Sequence, residues 1–267
     1  MNKIFLSLFF FLFFIVSNAA TDSTTIDFLK KLNQNYYCLT SEGLRDFQCQ
    51  IKSSLFESYK SAWLTKYGPE DKRSQSIEKV EFQFGFPAAE GFSFEPINYS
   101  PSGNVKFDTQ TAEVFKHVEL ILKENLFPWA LFTLQPVFDE EALKNRDFKI
   151  QKSNGNTFVI SSGDEPVTEI FDKQSGICFE AGEKATIKST KSKFITNPKG
   201  FLLSESEADF PNGAKMSLRM ESQSIEGFLM PKRLLVQVEN IGASHQQNAD
   251  SAFLFTDYKI NQNPDKK

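Results

Sequence analysis

Histidine, cysteine and tryptophan are scarce in this chain, and the usual signatures of catalysis are missing. Histidine occurs only at His117 and His245, in segments of different character. There is no Gly-x-Ser-x-Gly elbow, no His-Glu-x-x-His helix and no glycine-rich phosphate cradle, which excludes the commonest serine-hydrolase, zinc-protease and nucleotide sites. The 34 acidic side chains locate no acid and base pair, so a hydrolase using two carboxylates is left open by sequence. His117 lies in a helical stretch and reads as a surface or half-buried residue rather than a catalyst. Cys38, Cys49 and Cys178 lack the close spacings of a zinc site. In an oxidising compartment Cys38 with Cys49, or Cys49 with Cys178, could pair, and sequence does not choose between them. The expectation is a protein that is not an enzyme, with no catalytic residue, metal or cofactor.

Basic clusters are also lacking. A net charge of -4 and a pI near 5.4, with lysine and arginine scattered, argue against nucleic acid or an anionic membrane as partner. Long apolar runs are confined to the start, where Lys3, an apolar run from Ile4 to Val16 and small residues at Ser17, Ala19 and Ala20 read as a secretory signal cleaved near Ala19. The stretch from Leu120 to Phe138 is interrupted by Lys123, Glu124, Asn125 and Pro128, which excludes a second membrane span. Residues 1–19 are therefore expected to be a signal peptide, and 20–267 a single exported domain, periplasmic or extracellular and monomeric, with no integral span.

What the chain does have is phenylalanine and alternation. Phe occurs 29 times, only six of them inside the signal segment. Thr24 or Thr25 can cap a helix carrying Ile26, Leu29, Leu32, Tyr36 and Leu39, which Gly43 would end. Tyr36-Tyr37 reads as packing more readily than as a ligand platform. Phe47, Cys49 and Ile51 then alternate as a strand, and Lys66 to Ser76 reads as a solvated loop. Val80, Phe82, Phe84 and Phe86, with Phe92 and Phe94 after a turn, form a hairpin with an aromatic face. Asn98-Tyr99-Ser100 fits the glycosylation pattern, which has no meaning in a bacterial cell. A helix opening at Asp108 or Thr109 carries Val114, Phe115, Val118, Leu122 and Leu126 on one side until Pro128 breaks it, and Trp129 to Phe138 continues as a second apolar segment.

From Phe148 to Ile260 short alternating segments follow one another between turns. Asn154-Gly155 is the strongest hairpin signal, and Gly163 to Pro166, Lys173 to Gly176, Asn197 to Gly200 and Pro211 to Gly213 mark further turns. The strands between them include Ala185 to Thr190, Phe201 to Ser206, Ala214 to Gln223 and Ser251 to Ile260. In the last of these, Phe253 and Phe255 should point one way and Leu254, Tyr258 and Ile260 the other. The pattern is that of an α+β protein with an antiparallel meander covered by the preceding helices.

The order helix, Gly cap, strand, insertion and meander, ending in Gly227-Phe228-Leu229-Met230-Pro231-Lys232-Arg233 and Phe255-Thr256-Asp257-Tyr258, resembles the LolA-like and LolB-like superfamily of exported bacterial proteins. The resemblance implies a strongly curved antiparallel sheet, a half-open barrel with helices across its concave side, and a helical and hairpin insertion at about 55–147. It also implies an apolar cavity that takes acyl chains, so the partner would be a lipid or a lipidated protein. The family's lid-locking arginine has no matching position, and Arg45 is not given that role. The expected cavity wall is Phe82, Phe84, Val118, Leu122, Leu218, Met220, Val236 and Val238, all equally suited to an ordinary core. Met216, Met220 and Met230 would supply an adaptable lining. The competing expectation is a binding or assembly protein whose sheet is filled by its own helices and whose outer surface meets another protein.

Overall fold

Alternating segments become strands where one of their faces can be dried, and most of the twelve strands among the described residues arise in this way. The computed structural model describes residues 23–88, 91–136, 138, 143, 148–152, 157–162, 167–172, 176–181, 189–210, 213–239 and 249–262. The signal segment, His245 and the turns at Asn154-Gly155, Gly163 to Pro166, 173–175 and 211–212 lie outside the described residues. The fold is α+β. In chain order it runs α1 (Ser23–Asn33), β1 (Phe47–Ser53), α2 (Ser54–Tyr67), α3 (Lys72–Glu78), β2 (Glu81–Ala88), β3 (Gly91–Ile97) and α4 (Val105–Trp129). It continues with β4 (Phe148–Lys152), β5 (Thr157–Ser162), β6 (Val167–Asp172), β7 (Gly176–Ala181), β8 (Ser189–Asn197), β9 (Gly200–Asp209), β10 (Lys215–Ile225), β11 (Phe228–Glu239) and β12 (Ala249–Ile260). The hydrogen-bonded order is β3-β2-β1-β12-β11-β10-β9-β8-β7-β6-β5-β4, so the antiparallel sheet is open and the meander is as the sequence predicts.

Backbone packing divides the chain into two units. The first comprises Met1–Cys38, Pro128–Arg219 and Gln237–Ala249; the second comprises Leu39–Phe127, Met220–Val236 and Asp250–Lys267.

In the first unit α1 buries Leu29 and Leu32 and carries Lys30 and Lys31 in its last turn, where the helix dipole favours cations. It ends at Asn33, not near Leu39 as its spacing predicts. The Asn33 amide is committed elsewhere: Nδ2 donates to the Phe138 carbonyl at 2.7 Å, and Oδ1 accepts from the Phe138 amide at 2.9 Å. The next residues join a strand instead. Phe201 N–H donates to Asn35 O at 2.7 Å, and Tyr37 N–H donates to Phe201 O at 2.9 Å. This close approach requires Gly200, whose φ is +127° and where a Cβ would lie 2.8 Å from Tyr36 C and Tyr37 N. β8 runs on to Asn197, beyond the predicted Thr190, because Lys191 and Lys193 pair across the strands with Glu207 and Glu205. A Lys-Ser-Lys stretch shows no apolar alternation, which is why the sequence hid this strand.

In the second unit the predicted loop from Lys66 to Ser76 is largely helical. Gly68, at φ +80°, closes α2, and Asp71 caps α3 by accepting from Arg73 N at 2.8 Å. Hydrogen bonds from the Arg73 side chain and amide hold the Asp71 carboxyl down to about 2, and the guanidinium lies 3.6 Å from the Tyr67 ring centroid. α4 starts at Val105 rather than Asp108, because Asn104 Oδ1 accepts from Phe107 N at 3.0 Å as its cap. Asp108 instead gathers the preceding loop, accepting from Ser102 N and Oγ at 2.9 Å and from Tyr99 Oη at 3.1 Å. Pro128 does not break this helix. It removes one donor, and the chain passes through Trp129 into a π-helical turn at Ala130–Leu134, the wider winding that absorbs such a defect.

The last strand corrects another expectation. Between Gln48↔Lys259 and Gln50↔Thr256, β1 supplies only Cys49 while β12 supplies both Asp257 and Tyr258, and Asp257 takes φ +52°. This bulge resets the alternation. Ile260, opposite Phe47, therefore shares the buried face with Phe253 and Phe255, while Leu254 stays 38% exposed.

Gly200→Ala should lower stability by about 1–3 kcal/mol through backbone strain and displacement of the Tyr36-Tyr37 segment. Gly103→Ala, where nothing stands within 4 Å of a new Cβ, should cost less. Urea midpoints of the two variants check this.

Candidate functional site

The second unit gathers phenylalanine on one dried face. On β1 the burial pattern alternates strictly, with Phe47, Cys49, Ile51 and Ser53 inward. Cross-strand pairing places Phe84 opposite Cys49, Phe82 opposite Ile51 and Phe255 opposite Ile51 on the other side. Phe82 sits 5.0 Å from Phe56 of α2, 4.9 Å from Phe94 of β3 and 5.7 Å from Phe115 of α4, centroid to centroid. Phe84 lies 4.9 Å from Phe92, 6.0 Å from Phe47 and 6.4 Å from Phe255. These are the separations of rings in direct contact.

Six of the expected wall residues fall in this unit. Phe82, Phe84, Val118, Leu122, Met220 and Val236 are all buried there. Leu218 and Val238 belong to the first unit, Leu218 buried opposite Ser206 and Val238 half-buried. Met230 is buried and Met216 half-buried. Tyr36 and Tyr37 form no platform: both are buried, and Tyr36 packs 5.3 Å from Phe194 and 6.1 Å from Phe132 and Phe201.

Polar chemistry enters the second unit at the bulge. Tyr258 Oη donates to Pro231 O at 2.8 Å, and Gln223 Nε2 donates to the same carbonyl at 3.3 Å. The two motif segments quoted above, at Pro231 and at Asp257-Tyr258, are thus joined directly. The sequence gives no sign of this bond beyond an aspartate at 257, a residue that tolerates the left-handed conformation. Burial pushes the Cys49 thiol up to about 12, against the opposing hydrogen bond with Tyr258. Burial, then Cys49, likewise raises the Tyr258 hydroxyl. Cys49 is a free thiol, so neither predicted pairing through it forms, and the Cys38 Sγ lies 3.9 Å from Leu134 O. The Cys178 side chain lies outside the described residues.

Elsewhere the arrangement is that of a solvated surface. His117 is exposed on α4. A shallow, open trough follows Ser54, Ser58, Ser61 and Thr65 along the outer side of α2, with one helix as its only wall. Lys193 Nζ donates to Glu205 at 2.7 Å and Arg219 Nε donates to the same carboxylate at 3.1 Å, a ladder of exposed ions across β8, β9 and β10. Among the described residues no group of three histidine, cysteine or acidic side chains could hold a metal ion, and no helix is long and apolar enough to cross a membrane.

A thiol held at about 12 rather than 9.0 stays protonated in the folded chain after the unfolded chain has lost its proton. Stability should therefore be unaffected by this group below pH 9 and should fall as pH rises from about 9 toward about 12. At neutral pH, native Cys49 should react with a thiol reagent roughly a thousandfold more slowly than in urea-unfolded protein, and mass-spectrometric labelling of the two states measures this. Comparison with protein-family models, curated proteins and solved structures finds no match to this chain.

Proposed function

We propose that this is a non-enzymatic binding or assembly protein, with the apolar face of its second unit filled by its own helices and a protein partner on the outer surface. The observation that carries the reading is the ring packing around Phe82 and Phe84, each 1% exposed and each in contact with three other phenylalanines. Phe56 of α2 and Phe115 of α4 occupy the place beside Phe82 that an acyl chain would need. The outer face of the same strands is polar and nearly uncharged near its middle, where Gln50 stands between Gln83 and Thr256. Such a face suits hydrogen-bonded contact with another protein rather than attraction to a charged polymer.

A second reading, an exported carrier or sensor of acyl chains built on a half-open barrel of the LolA-like kind, is favoured by one feature of α4. Val114, Leu120, Ile121 and Phe127 form a further apolar stripe that is only half-buried, and within it desolvation raises the Glu124 carboxyl. Each methylene buried on such a surface contributes about 0.8 kcal/mol, so a chain of about a dozen carbons would reach micromolar affinity after ordering costs.

One titration separates the two. Protein purified under native conditions should yield no stoichiometric extractable lipid and should ignore a fluorescent fatty acid, while Phe82→Ala should lose about 3–5 kcal/mol of stability as a core truncation does. Saturable uptake of one probe per chain in the micromolar range would overturn the first reading in favour of the second.

A further inference from the structure

We propose that α2 and α3 together form a flap that swings off the aromatic face of the second unit while the sheet beneath stays paired. The topology supplies the hinge. β1 and β2 are antiparallel neighbours, paired from Phe47↔Phe86 to Ile51↔Phe82, and the segment Ser54–Glu78 is the connection between them. α2 begins at the residue after β1 ends, and β2 resumes three residues after α3. Both ends of the flap thus leave one end of one hairpin, and opening it breaks no strand pairing.

The flap buries few apolar side chains, Phe56 in α2 and Ile77 in α3. Of the 14 residues in α2 only Phe56 is buried, and its ring is the plug between Phe82 and Phe115, 5.0 and 5.5 Å away. Beyond that plug, Tyr59 Oη meets Thr111 Oγ1 at 2.9 Å, the Trp63 ring lies 4.6 Å from Phe107, and Ser54 Oγ accepts from Ala252 N at 2.8 Å. Within the flap the ties are independent of the sheet: Lys60 Nζ donates to Glu78 O at 3.4 Å, and Arg73 stacks on Tyr67. α2 and α3 therefore travel as one body.

The closed state also carries a polar cost at this place. Ser53 Oγ, at the hinge, and Ser74 Oγ, in α3, are buried at 2% and 0% exposure and meet no hydrogen-bond partner among the described residues. A buried hydroxyl without a partner is unfavourable, and opening at the hinge would relieve that cost at Ser53. Segments with few buried apolar contacts open below the global unfolding free energy. The opened flap bares Phe82 and Phe115, the two rings that Phe56 covers in the closed state.

Native-state hydrogen exchange read by mass spectrometry on the full chain tests this. Peptides from 54–78 should lose protection together and exchange at least about tenfold faster than peptides of β1 and β2. Phe56→Leu, which shortens the plug without emptying the site, should speed the flap about tenfold more and leave β1 and β2 unchanged. Equal protection in flap and strands overturns the proposal, as does a Phe56→Leu variant in which all three accelerate alike.

Discussion

The second unit depends on keeping one face of four neighbouring strands dry, and the bulge in β12 is what makes that possible. Without the extra residue at Asp257-Tyr258, strict alternation would send Ile260 to the face that carries Leu254 and open a gap beside Phe47. With it, Phe253, Phe255 and Ile260 line up against β1, and Tyr258 is turned so that its hydroxyl reaches Pro231. The local cost is a positive φ at an aspartate, a residue for which that conformation is comparatively cheap. What it secures is continuity of an apolar layer several side chains wide.

That layer is built from phenylalanine to an unusual degree, and the choice of residue has a physical sense. Flat rings with two side-chain torsions bury large areas at modest entropic cost and meet edge to face, as Phe56 does on Phe82 at 80° and Phe82 on Phe115 at 81°. A core of this kind is filled by shape rather than by directional bonds. It tolerates neighbours of many outlines, which is why the same residues could be read from sequence as a cavity wall or as ordinary interior. The distinction lies in volume, and volume is not written in a one-dimensional pattern.

What was legible follows from this. The α+β class, the meander from Phe148 to Ile260 and the aromatic hairpin all rest on period-two alternation, and all stand as strands in the fold. What failed did so where a tertiary contact outbid a local signal. The periodic run Ile26 to Leu39 is cut at Asn33 because that side chain is taken by the Phe138 backbone and because Phe201 captures the amide of Tyr37. The helices between Ser54 and Glu78 were masked by Gly68-Pro69 and a run of charges, and β8 by its lysines. Burial of all but one of the proposed wall residues was readable, since each sits in an alternating or helically spaced series. Their division between two units was not, because the units are assembled from chain segments far apart in sequence.

That assembly sets the rules for taking the protein apart. The chain passes from one unit to the other five times, and four of those passages lie inside α4, β10, β11 and β12 rather than in loops. No contiguous fragment contains one unit whole without most of the other, and of the five boundaries only that at 38/39 can be cut without dividing a helix or strand. Any attempt to study one half alone would have to rewire its three segments with new connections, and a random truncation library of this gene should yield soluble clones only near full length.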